Sequence, residues 1–231
     1  MPPRERLIVA LDLPEPEAAR RLVERLGEAV VVYKVGLELY ATRGARELTD
    51  WLVGRGKRVF LDLKLCDIPE TVRRAVAALR DSGASFLSVH AQPGCVEAAL
   101  AAKGELSILA VTVLTSVSDA DLAREGWPRG VEALVAARAR AALAAGADGL
   151  VASAREAAML RRSHGRRFVL VTPGIRPRGA AAGDQKRTAG AGEAIAAGAD
   201  YVVVGRPVRD APDPRAAAEA LQAEIARAAA R

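Results

Sequence analysis

Eight short apolar runs recur along the chain, and they restrict its fold more than any other feature. They are LIVALD (7–12), VVVYKVG (30–36), RVFLDLK (58–64), FLSVHA (86–91), SILAVTVL (107–114), GLVASA (149–154), FVLVTPG (168–174) and YVVVGRP (201–207). Each is continuously apolar rather than alternating, as parallel strands buried on both faces must be. The stretches between them read as helices. EPEAARRLVERLG spaces Ala18, Leu22 and Leu26 for one helical face and stops at Gly27, a C-cap residue. IPETVRRAVAALRDSGA and GVEALVAARARAALAAGA each close on Gly-Ala, and Asp213 and Pro214 open a last helix. Eight strand–helix units without a linker or composition break predict an α/β protein, a single TIM (β/α)8 barrel, with residues 1–231 as one catalytic domain. A doubly wound open sheet is the alternative. The 231 residues fit a barrel of about 250. With 51% hydrophobic but only 3% aromatic residues, the core must be aliphatic.

The net charge of +6 comes from arginines scattered beside acidic residues on the helix-like segments. No basic run is interleaved with aromatics, which argues against a nucleic-acid partner and for a charged outer surface with an anionic small-molecule substrate. Cys66 and Cys95 match no metal or redox spacing, suit a reducing cytoplasm, and read as small buried hydrophobes. LIVALDLPEPE is too short and too soon acidic for a signal peptide, and no apolar run approaches the ~20 residues of a membrane span.

Chemistry in a barrel of this type sits at the C-terminal ends of the strands. Those ends carry Asp12, Lys34, Asp62, Lys64, His90, Thr112 or Thr115, Arg176 and Arg206. Lysine occurs only at positions 34, 57, 64, 103 and 186, while arginine is the default cation. A lysine inside a strand is therefore a specific choice. Asp62 and Lys64, two apart, share one face of their strand, within reach of Lys34 on its neighbour. A structural ion-pair network is one reading. Burying such charges is expensive, however, and apolar residues are usually at least as stable, so a functional array explains the cost better. A lysine held between carboxylates stays protonated and aimed, a suitable general acid, which arginine is not.

A second group is suited to phosphate. TPGIRP brings Gly174 and Arg176 to the end of strand seven, and VVVGRP brings Gly205 and Arg206 to the end of strand eight, the usual barrel phosphate site. Small residues between them, within 176–190, are expected to form a closing lid. His90 reads as a packing or supporting residue, His164 as a solvated helix end, and SVSDADL as a capped helix start.

LIVALD, YKVG, FLDLKLCDIPET, VTVLTS, TPGIRPRGAAAGDQKR and YVVVGRPV, in this order, make the chain resemble the orotidine 5′-phosphate decarboxylases in their bacterial form. The resemblance implies cofactor-free, metal-free decarboxylation of orotidine 5′-monophosphate to uridine 5′-monophosphate, closing de novo pyrimidine synthesis. It implies a catalytic array of Lys34, Asp62, Lys64 and Asp67, with Lys64 as proton donor. Asp12 and Lys34 would hold the ribose hydroxyls, and Thr115 with Ser116 the pyrimidine edge. Arg176, Gln185, Gly205 and Arg206 would take the phosphate, with Gln185 on the lid also touching the base. A homodimer is implied, with Asp67 and Thr71 serving the partner's site. Cys66 and Glu70 depart from the pattern, standing where His and Asn are usual. Two rivals are a metal-dependent sugar-phosphate lyase, similar to hexulose-phosphate synthase, and a non-catalytic nucleotide-binding barrel.

Overall fold

The computed structural model describes residues 1–176 and 187–230. Eight parallel strands close into a barrel in chain order. They are β1 (Leu7–Ala10), β2 (Val32–Gly36), β3 (Arg58–Leu65), β4 (Phe86–His90), β5 (Ser107–Val111), β6 (Gly149–Val151), β7 (Val169–Thr172) and β8 (Tyr201–Val204). Pairing of β1 with β8, Leu7 opposite Val202, removes both sheet edges and rules out the open doubly wound alternative.

A helix follows every strand: Pro16–Leu26, Ala45–Gly54, Pro69–Leu79, Cys95–Leu100, Gly130–Ala145, Ala154–His164, Ala191–Ala196 and Pro214–Ala229. Their ends obey the residues at hand. Gly27 and Gly146 end their helices at φ of +52° and +100°, a region costly for any residue with a Cβ. Asp213 accepts the Ala216 amide at 3.0 Å, and Ser118 caps the short helix Asp119–Arg124. Among the described residues, no helix is long and apolar enough to cross a membrane.

Strand alternation sorts the core into two layers. Outward side chains such as Leu7, Val9, Leu61 and Leu87 pack against the helices. Inward ones, among them Ile8, Val32, Phe60, Phe86, Leu109 and Tyr201, fill the barrel. Three of the eight aromatics lie there. Phe86 meets Phe60 and Tyr201 edge-on, with ring centres 6.2 Å and 5.4 Å apart. Several strands stop short of their apolar runs. Val113, Ala152 and Pro173 lie past the last ladder residue and line the cavity at the barrel mouth.

Candidate active site

The inward face does not end where the apolar filling ends. Past Ile8, Val32 and Phe60 in the lower interior the chain carries a charge, two residues on within β2 and β3 and four on, just beyond the end of β1: Lys34, Asp62 and Asp12. Lys34 Nζ lies 2.7 Å from Asp12 Oδ1 and 3.5 Å from Asp62 Oδ2, and Lys64 Nζ lies 2.7 Å from the same Asp62 oxygen. Ser88, on β4, donates to Asp62 Oδ1 at 2.8 Å and accepts the Lys64 amide at 2.9 Å. Lys34 and Asp62 are buried, whereas a third of the Lys64 side chain remains exposed at the cavity. The network is therefore open to the cavity at both ends, through Lys64 and through Asp12, whose side chain is 40% exposed.

Two backbone features hold this arrangement. Lys64 is the one non-glycine residue with positive φ, +50°, among the described residues. Between the pairs Leu61–Leu87 and Leu65–Val89, three residues of β3 stand against Ser88 alone. This bulge and the left-handed backbone put the ammonium over the mouth at a cost of about 1–2 kcal/mol, a strain typical of functional positions. Gly36 supplies the room. A Cβ there would sit 2.6 Å from Asp12 Oδ1 and 2.8 Å from Lys34 Nζ.

Electrostatics lock the buried members in their charged forms. Burial works against the Lys34 ammonium, but Asp62 and Asp12 outweigh it and raise its pKa. Burial likewise disfavours the Asp62 carboxylate, yet Lys34, Lys64 and the Ser88 hydrogen bond hold its pKa below the usual range. His90, at the top of β4, is shifted the other way by burial and then by Arg138 and Lys64, so it favours the neutral form. It remains a neighbour of the array rather than a member.

The array opens on a cavity of about 350 Å³ that gathers most of the residues singled out in the sequence. Asp12, Lys34, Asp62 and Lys64 form one wall, with Thr115 and Ser116 from the loop after β5, Gly174 and Arg176 after β7, and Gly205 and Arg206 after β8. Thr115, not Thr112, faces the cavity. Thr112 is fully buried and donates to the Val151 carbonyl at 3.0 Å.

Two expected site residues stay out of their own chain's cavity. Asp67 is exposed and accepts the Ile68 amide at 2.6 Å, and Thr71 is exposed on the first turn of Pro69–Leu79. Gln185 lies outside the described residues, as does positions 177–186 of the expected lid. Cys95 is buried as expected, but Cys66 is exposed because β3 ends at Leu65 and the chain turns outward. Glu70 binds Arg73 and Arg74 on the surface, and these hydrogen bonds bring its pKa down to about 2. Sequence reading missed Ser88, which looks like one more strand residue, and Arg209. The latter lines the cavity and donates to the Asp12 carbonyl.

Fold and mouth together are those of a barrel enzyme, with an ion network past the ends of β1, β2 and β3 and arginines past the ends of β7 and β8. The chain belongs to the orotidine 5′-phosphate decarboxylase / HUMPS family, whose model matches residues 5–221. It is 59% identical over 230 residues to the orotidine 5′-phosphate decarboxylase of Rhodopseudomonas palustris, covering 99% of this chain and 97% of that one. It is 51% identical over 226 residues to the enzyme of that name from Methylococcus capsulatus, covering 97% and 93%. The crystal structure of orotidine 5′-phosphate decarboxylase from Lactobacillus acidophilus superposes with a TM-score of 0.83 at 36% identity, covering 95% of this chain and 98% of the other.

Proposed function

We propose that the protein is a lyase that converts orotidine 5′-monophosphate to uridine 5′-monophosphate in pyrimidine synthesis, without metal or cofactor. Family membership and near full-length relatives bearing that name support the reaction. The observation that carries the chemistry is the Lys34–Asp62–Lys64 network with Lys64 as its cavity-exposed cation. In the reaction the bond from C6 to the carboxylate breaks and CO2 leaves. The electron pair stays on C6, where Lys64 Nζ delivers a proton. No neighbouring carbonyl takes up that pair, so stabilisation falls to a cation fixed beside C6 before the bond breaks. Asp62 keeps the ammonium aimed, Asp12 and Lys34 meet the ribose hydroxyls, and Thr115 with Ser116 meets the pyrimidine edge. Arg176, Gly205, Arg206 and Gln185 bind the phosphate, whose binding energy is spent on the transition state.

A metal-dependent sugar-phosphate lyase fits this donor set poorly. Asp62 Oδ2 already serves two lysines and Oδ1 accepts from Ser88, and two ammonium groups so close oppose a divalent cation. Decisive is the ultraviolet absorbance of orotidine 5′-monophosphate mixed with the protein in EDTA. Rapid loss supports cofactor-free decarboxylation. Loss only with Mg²⁺ and a sugar phosphate transfers the chain to the lyase reading.

We further propose a homodimer in which Asp67 and Thr71 complete the partner's site. Supporting it, both are exposed and neither lines its own chain's cavity, and the large apolar residues beside the mouth, Leu37 and Ile68, are 63% and 67% exposed. Mixing Lys64→Ala with Asp67→Ala subunits is expected to restore activity, since each hybrid dimer then has one intact site. No recovery on subunit exchange sinks the shared site. The two free thiols favour the cytoplasm as its location.

A further inference from the structure

Across the mouth from the charged array, a second buried ion pair has no part in the chemistry above. Arg187 is 7% exposed and Glu156, in the helix after β6, 6%; Arg187 Nη1 donates to Glu156 Oε1 at 2.6 Å. The other terminal nitrogen, Nη2, donates to two successive carbonyls, Val113 at 3.2 Å and Leu114 at 3.0 Å. Those carbonyls immediately precede Thr115 and Ser116 in the cavity wall. Arg187 is also close in the chain to Ala189, which pairs with Ile175 as a parallel bridge. There the Arg176 amide donates to the Ala189 carbonyl at 2.9 Å, and the Ala189 amide reaches Gly174 at 3.4 Å. One guanidinium thus joins three pieces of chain: the loop after β5, the helix after β6 and the bridge that carries Gly174 and Arg176.

Stability alone explains the pair badly. Among the described residues, Arg187 Nε and Glu156 Oε2 are buried without a hydrogen-bond partner. Each such atom costs about 1–3 kcal/mol, and an apolar pair would fill the space more cheaply. The guanidinium offers instead a planar fork that reaches a carboxylate and two carbonyls at once, which a lysine cannot span.

We propose that Arg187 is a positioning residue that fixes the distance between the ring-binding loop at Thr115–Ser116 and the phosphate-side bridge at Gly174–Arg176. The inference rests on the decarboxylase reading. Its consequence is that the phosphate end of the substrate helps the ring end only while the tether is intact.

The test compares kcat/KM for orotidine 5′-monophosphate with that for orotidine, which lacks the phosphate, in the wild type and Arg187→Ala. The preference for the phosphorylated substrate is expected to fall by roughly 10²-fold, the cost of misplacing groups by about an ångström. Guanidinium ion at sub-denaturing concentration should restore part of it. A merely structural residue would lower both values by one factor and leave the ratio unchanged, and that result overturns the proposal. Should Arg187→Ala not fold, Arg187→Lys and Glu156→Gln are read the same way, with a smaller fall expected for Glu156→Gln because the two carbonyl contacts survive. A wild type inactive on both compounds removes the decarboxylase reading and the tether together. An active wild type with an unchanged variant ratio removes the tether alone.

Discussion

Low in the barrel, Val32, Phe60 and Phe86 fill the interior with apolar contacts; two residues further along the same strands, the same face presents Lys34, Asp62 and Ser88. Nothing in the backbone period separates the two layers, since both follow the two-residue alternation of a strand. What separates them is what they face. In the lower layer Val32 and Phe86 meet only other side chains, Phe60 also forms part of the cavity floor, and the rings are held by burial and edge-on contact. The upper layer borders a cavity of about 350 Å³, where a charge can meet a ligand. Stabilisation and chemistry are thus stacked along one face, so a substitution in either layer ought to affect mainly one of the two.

The strongest test is at the top. Lys64→Ala removes the proposed proton donor and its fixed charge, and kcat is expected to fall by roughly 10⁴-fold or more. Because a third of that side chain is exposed, stability should change by no more than about 1 kcal/mol. Urea unfolding beside the decarboxylation assay checks both. A variant that lost most of its stability would erase the division between layers. Next in size is the converse change, Phe86→Ala, beneath the cavity wall and against Phe60 and Tyr201. It should cost about 3–5 kcal/mol of stability, while the folded fraction keeps kcat within about tenfold. If kcat collapsed in fully folded protein, the lower layer would be part of the chemistry.

The same division explains how much could be read without coordinates. All eight strands were legible because a parallel strand buried on both faces needs a continuous apolar run, and the chain offers eight. Their ends were not, because Val113 and Ala152 stay apolar after the ladder stops: they line a cavity rather than pair with a neighbour. Asp62 and Lys64 stood out as charges in an apolar strand. The bulge and the left-handed backbone at Lys64 left no such mark, since lysine carries no signal for positive φ. Asp67 entered through family resemblance, and nothing in one chain's geometry draws it to the array. Ser88 and Arg187 were silent for another reason. Their importance lies in partners distant in sequence, Asp62, Glu156 and the Val113–Leu114 carbonyls, which only the closed barrel brings near.

A smaller change probes the boundary between layers. Gly36→Ala adds one methyl group at the end of β2, where it would meet the Asp12–Lys34 pair at 2.6 Å and 2.8 Å. Glycine here is needed for space, not for an unusual φ, which is −84°. The ion pair must shift, and kcat/KM is expected to drop by roughly 10–10²-fold. Melting temperature should move by only a few degrees, about 1 kcal/mol in a domain of this size. Full activity in Gly36→Ala would mean that the Asp12–Lys34 pair tolerates displacement, and the upper layer would then be less rigid than its hydrogen bonds suggest.

The mildest expected effect is a pH dependence that separates the buried carboxylate from the rings below it. Asp62 has its pKa depressed in the folded protein, since Lys34, Lys64 and Ser88 overcome the opposing effect of burial. As pH falls through the ordinary aspartate value of about 4, the unfolded chain takes up a proton that the folded chain refuses. The stabilisation from Asp62 is therefore complete above about pH 4 and is lost as pH drops toward the depressed folded value. Lys34 mirrors it. Its raised pKa gives stabilisation that is complete below the ordinary lysine value of about 10.4 and disappears as pH rises through the folded one. Urea midpoints between about pH 5 and pH 3 should fall more steeply for the wild type than for Asp62→Asn, which cannot titrate there. Phe86→Ala should keep the wild-type slope, because it removes packing and no proton site. Equal slopes for wild type and Asp62→Asn would place the acid sensitivity elsewhere, and the upper layer would then resemble the lower in being indifferent to protons over that range.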